Sequence, residues 1–191
     1  MSPWGISIFV ACVLGLAVRT SPALSAVSTD DEKAVSAFQA GVTKYLELKK
    51  KEVGTAPRSS SSAYKVAETQ ETLASKTKAL RPRATQGEIF TPEVTAYFRK
   101  RISGVLAGTE GSKIRASLRH AEPVHGLALR VNEQYPEGVP LQSAPPSLLS
   151  VLPILPDSLE YRIVGRSLVL RDVAPNLVVD FISNALPGIG E

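Results

Sequence analysis

The chain has 191 residues, 43% of them hydrophobic but only 6% aromatic, with 14 prolines, 13 glycines and a net charge of +4. That length holds one domain and an appendage, which excludes a two-enzyme architecture, and the proline and glycine content leaves material for a modest core. Charge is unevenly spread: Val27 to Arg119 carries 17 Lys and Arg against 10 Asp and Glu, a balance of +7, whereas His120 to Glu191 carries 4 against 8, a balance of −4. Two readings account for the split, an anionic partner such as a membrane surface or cell-wall polymer and a plain solvated helical face.

Residues Ile6 to Val18 are apolar apart from Ser7 and Gly15, and Arg19 and the small-residue stretch Ser21 to Ala26 follow. The run is shorter than the roughly 20 residues that cross a bilayer as a helix, so residues 1–26 read as a signal peptide cleaved near Ser25 or Ala26. Because no Lys or Arg precedes the run, an uncleaved anchor or a misplaced start is the alternative. The one cysteine, Cys12, lies inside this segment. A mature chain without thiols excludes disulfides, cysteine nucleophiles and Cys-ligated zinc.

Residues 27–85 read as a helical, partly flexible region. Capping and acidic residues at Ser28 to Glu32 open a helix over 30–51, with Val35, Phe38, Val42, Tyr45 and Leu46 on one stripe and Lys49 to Lys51 near its carbonyl end. Gly54 to Ser62 has linker composition. Ala63 to Leu80 is a second helix with a thin seam at Val66, Leu73 and Leu80, and Arg81-Pro82 stops it.

Residues 86–191 read as a compact α+β domain. Thr91-Pro92-Glu93 starts a third helix with Val94, Tyr97, Phe98, Ile102 and Val105 on one face. Arg101 falls in the middle of that face and Arg99 and Lys100 outside it, so Arg101 snorkels, pairs with an acid or binds a ligand. Thr109 to Ala121 is a fourth helix, with Ile114 and Leu118 inward and Lys113, Arg115 and Arg119 outward. Arg99, Lys100, Arg101, Lys113, Arg115 and Arg119 are the candidate partner-binding residues.

Leu127, Leu129 and Val131 alternate with polar or small residues, which suggests a strand over 127–132. Pro145-Pro146 opens a single short helix. Tyr161 and Ile163, then Leu168 and Leu170, then Leu177, Val179 and Phe181 alternate, with turns at Gly165-Arg166 and Ala174 to Asn176, giving a three-stranded antiparallel meander with one apolar face. The expected fold is therefore α+β: N-terminal helices followed by a small antiparallel sheet, with the upstream helices covering the apolar face.

Leu159 to Asp172 (LEYRIVGRSLVLRD), followed by Val178-Val179-Asp180, resembles the C-terminal hairpin of small periplasmic regulators of the RcnB type, linked to nickel and cobalt homeostasis. More broadly, residues 86–187 resemble exported bacterial proteins of unknown function. The broader likeness implies an exported domain and carries no activity across, and the hairpin resemblance adds only slightly to a metal-binding reading, because no histidine lies in the matched segment.

His120-Ala-Glu122-Pro-Val-His125 holds both histidines. A zincin helix places two histidines four apart on one face, whereas these are five apart with Pro123 between them, so the spacing does not give that geometry. No Gly-x-Ser-x-Gly elbow or phosphate-cradling loop occurs, and Asp172 and Asp180 read as members of a surface ion-pair lattice with Arg162, Arg166 and Arg171. Nucleic acid is discounted, since the basic residues are not interleaved with stacking aromatics. The expectation is an exported non-enzymatic binding or scaffold module without a cofactor, contacting an anionic envelope surface or another envelope protein. The alternative is a metal-binding or hydrolytic enzyme built on His120, Glu122 and His125.

Overall fold

The computed structural model describes residues 28–53, 63–119 and 127–188. Its first helix, α1 (Thr29–Val53), begins where Ser28 Oγ accepts the Asp31 N–H at 3.2 Å and three acids occupy the first turn, complementing the positive end of the helix. Ala34, Phe38, Val42 and Tyr45 are buried, at spacings of three and four that keep them on one face.

The second helix, α2 (Ala63–Leu80), packs on α1 through the stripe that holds Leu73, widened by Ala74 and Thr77. Val66 is exposed, whereas Leu73, Ala74 and Thr77 are buried. Small side chains at 74 and 77 let the helix lie close to its neighbour, and Thr77 satisfies its hydroxyl by donating to the Leu73 carbonyl at 2.8 Å. Val66, on the same stripe but in the first turn, stays exposed.

The third helix, α3 (Pro92–Ala107), is capped by Thr91, whose side chain accepts the Val94 N–H, with proline at the first position. Val94, Phe98, Ile102 and Leu106 face inward. A tight turn leads to α4 (Gly111–Arg119), which buries Ile114 and Leu118.

The sheet comprises β1 (Gln142–Ser143), β2 (Leu159–Val164), β3 (Ser167–Asp172) and β4 (Leu177–Ile182), in that spatial order and wholly antiparallel, with the short helix α5 (Pro146–Leu149) between β1 and β2. The β2–β3 turn uses Gly165 at φ +57 and the β3–β4 turn uses Asn176 at φ 51, both left-handed positions. The C-terminal meander is thus present.

The fourth strand is not at 127–132 but at Gln142–Ser143. Leu127, Leu129 and Val131 are half-buried against the outer side of the sheet, so their alternation reports burial and not a ladder. Asn132, at φ 66, then breaks the extended run, and pairing with the β4 edge shrinks to one bridge, Gln134 to Leu177.

The single-face reading of the last strand also fails, because of a β-bulge. Pairing passes from Leu170 opposite Asp180 to Arg171 opposite Val178, leaving Val179 as the extra residue. Val179 consequently joins the helix-side core while Phe181 joins the outer cluster with Tyr135, Val164, Val169 and Val178.

The helix-side core is centred on Phe38, Phe90, Phe98 and Tyr161, with ring centroids of contacting pairs 5.0 to 6.3 Å apart. Phe38, Val42 and Tyr45 of α1 lie in one cluster with α3 and the sheet, so the core runs across the 85/86 boundary drawn from composition. The linker 54–62 and residues 1–26 lie outside the described residues.

Candidate anion-binding cleft

The candidate cations of α3 and α4 are largely engaged within the fold. Arg99 donates to the Ser183 carbonyl at 2.8 Å, Lys100 pairs with Asp31 at 3.0 Å, and Arg115 donates to the Leu106 carbonyl at 2.7 Å. Lys113 pairs with Glu110 at 3.0 Å, and Arg119 is exposed at the end of α4. Arg101 is exposed and its Nε donates to the Val151 carbonyl at 3.3 Å, the snorkelling arrangement, with its head at the surface and no ion pair to an acid among the described residues. Lys100 lines a cleft, but beside Asp30, Asp31 and Glu93, and its hydrogen bond to Asp31 holds that carboxyl below its ordinary value. Five of the six thus have a partner of their own within the described fold. His120, Glu122 and His125 lie outside the described residues.

Asp172 and Asp180 do not belong to a surface lattice: both are fully buried. The bulge turns Asp180 toward the helices, where its carboxylate accepts the N–H groups of Gly87, Ile89 and Phe90 at 2.8 to 2.9 Å, together with that of Phe181 at 2.8 Å. Asp172 accepts the Tyr45 hydroxyl and the Lys49 ammonium, each at 2.6 Å. Burial, followed by the charge of Asp172, pushes the Tyr45 hydroxyl far above its ordinary range, so it remains a donor.

The surface lattice centres instead on Glu160, which Arg162 contacts at 2.6 Å and Arg171 contacts from the neighbouring strand. Burial raises the Glu160 carboxyl, but hydrogen bonds from the two guanidinium groups outweigh it and hold the group below its ordinary 4.5. A carboxyl depressed in the folded state contributes stability above its unfolded pKa and loses it as pH falls through the folded value, so the loss sets in below 4.5. Glu160→Gln is therefore expected to flatten the acid limb of stability against pH, measured by denaturant melts between about pH 5 and 2. An unchanged limb would mean the lattice contributes nothing.

A cleft of about 280 Å³ opens between the C-terminal half of α1, the end of α2 and the loop 81–89. Arg81 lies at its base, only 7% exposed, with its guanidinium 5.1 Å from the Tyr45 ring centroid and 2.7 Å from Glu88, and both terminal nitrogens 3.4 Å from the Val179 carbonyl. Ring, carbonyl and carboxylate together fix the plane of the guanidinium. Lys44 and Arg83 stand exposed on the lining, and neither makes an ion pair or hydrogen bond with any described residue. Leu48, Leu80 and Ile89 supply apolar wall.

Arg81 was hidden in the sequence by the proline after it, which marks it as a helix terminator. The signal that finds it is spacing: positions 73, 74, 77 and 81 carry the buried seam of α2 one residue beyond the helix's end at Leu80.

Among the described residues no helix is long and apolar enough to cross a membrane, and no group of three His, Cys, Asp or Glu side chains is placed to hold a metal. No protein-family model matches the chain, and none of the curated proteins and none of the solved structures matches it.

Proposed function

We propose that this protein is an exported, non-enzymatic binding module that engages an anionic partner in the cell envelope through its basic helical half. The observation that carries this reading is the cluster of Lys44, Arg81 and Arg83 around one cleft, with Glu88 the only carboxylate on its lining among the described residues. Two of the three cations are unspent inside the described fold, unlike most of those on α3 and α4. Export is supported by the apolar run Ile6 to Val18 and the small residues Ser21 to Ala26.

Binding of the purified protein to vesicles containing phosphatidylglycerol should fall steeply as salt rises, because exposed cations are screened beyond a Debye length of about 8 Å at physiological ionic strength. Equal binding to neutral phosphatidylcholine vesicles, or binding insensitive to salt, would overturn the reading. Protein recovered from the envelope fraction of its host should begin near Val27; an intact Met1 would overturn the cleaved-export part.

A further inference from the structure

We infer that the cleft at Arg81 is the seat of one carboxylate group borne on a short apolar stem, and that Glu88 holds this seat as an internal surrogate until such a ligand displaces it. The inference rests on the anion-binding reading above and names the residues and ligand chemistry of that site.

Arg81 supplies a guanidinium already oriented by the Tyr45 ring and the Val179 carbonyl, so little side-chain freedom is lost when a carboxylate meets it. Its present acid partner, Glu88, has a side chain 43% exposed, while Arg81's is 6% exposed. The surrogate is therefore the member of the pair that can swing into solvent. The backbone beneath it stays in place, because Asp180 grips the N–H groups of Gly87 on one side of Glu88 and of Ile89 and Phe90 on the other. Only the Glu88 side chain has to move.

The rest of the lining selects the ligand. Lys44 and Arg83 add two cations to the cleft, so a bound carboxylate finds a positive surround even after Glu88 has left Arg81. Leu48, Leu80 and Ile89 face the same space, and the volume of about 280 Å³ sits just below the usual range for small-molecule sites, which fits a stem of a few carbons and not a large ring system. Gly41, beside Tyr45, lets Ile89 pack close on α1 as part of that wall, since a Cβ at 41 would lie 3.4 Å from the Ile89 side chain. Such a carboxylate can come from a free short-chain acid or from the end of a peptide.

The test uses the full chain, hexanoate as the free acid, and acetyl-Ala-Leu with a free C-terminal carboxylate as the peptide end. Hexanamide and the peptide amide serve as uncharged controls. Titrations followed by NMR of the Arg81 Nε–H should saturate with at least one carboxylate and with neither amide, and whichever carboxylate binds identifies the source. Glu88→Gln should tighten binding about two- to fivefold, the effect of removing a part-exposed ion pair that competes with the ligand. The double variant Lys44→Gln with Arg83→Gln, which leaves the buried contacts intact, should weaken binding by about fivefold or more. Absence of saturation by both carboxylates, equal binding of an amide, or a Glu88→Gln variant that binds no tighter would overturn the inference. Vesicle binding measured on the same samples separates the two proposals: salt-sensitive vesicle binding without carboxylate saturation removes the cleft and leaves the anionic-surface reading standing, and the reverse pattern does the opposite.

Discussion

Asp180→Ala is expected to cost about 4 kcal/mol or more of folding stability, a large share of the roughly 5 to 15 kcal/mol that holds an ordinary domain together. The carboxylate is fully buried and accepts four backbone N–H groups, of which those of Ile89 and Phe90 belong to residues themselves only 3% exposed. A methyl group leaves those donors without an acceptor and without access to water, and each stranded buried donor costs about 1 to 3 kcal/mol. The measurement is the midpoint of urea unfolding at unchanged slope. Asp180→Asn keeps the shape and one carbonyl acceptor but turns an amide nitrogen toward a donor, so it should fall between the wild type and alanine. A loss below about 1 kcal/mol in the alanine variant would mean that water replaces the carboxylate and that the 87–90 segment is not anchored by it. The same substitution frees the backbone on either side of Glu88, so the Arg81 cleft should lose its shape before the domain unfolds.

Gly111→Ala should cost about 3 kcal/mol, the upper part of the range for overpacking. A Cβ there would lie 1.8 Å from the Leu106 carbonyl oxygen and 2.5 Å from its carbon, both backbone atoms. No rotamer relieves that contact, so the α3–α4 turn must shift, and Arg115 holds the same Leu106 carbonyl at 2.7 Å against the shift. Gly104→Ala provides the control of opposite sign. It lies within α3, where an alanine methyl would meet nothing within 4 Å, and replacing a helical glycine by alanine should stabilise by roughly 0.5 to 1 kcal/mol. Thermal melts of the two variants should move in opposite directions; a neutral Gly111→Ala would show that the turn relaxes freely.

The two aspartates show where reading the chain alone reaches its limit. A period-two alternation puts Val179 and Phe181 on one face and Asp180 on the solvent side, and nothing local announces the extra residue that reverses this. Once the bulge is present, Asp180 meets amides 91 positions away at Ile89, and a residue expected in a surface lattice becomes the internal acceptor for a loop. Asp172 likewise gains its meaning from Tyr45, 127 positions upstream. The candidate cations follow the same logic. Their charge was plain in the sequence, but whether a guanidinium is free or already committed to a carbonyl depends on which helix end lies beside it, as for Arg115 at Leu106.

What the sequence determined by itself is what neighbouring residues decide among themselves. The Thr91-Pro92 start of α3, the inward stripe Phe38, Val42 and Tyr45, the short helix at Pro146 and the three strands of the meander all arise from capping, fixed φ and periodicity within a few residues. The tertiary structure alone decided where the fourth strand forms, where β4 bulges and which cations stay uncommitted within the described fold. Those choices turn on close approach and on satisfying buried polar groups between segments far apart in the chain, and no local pattern encodes either.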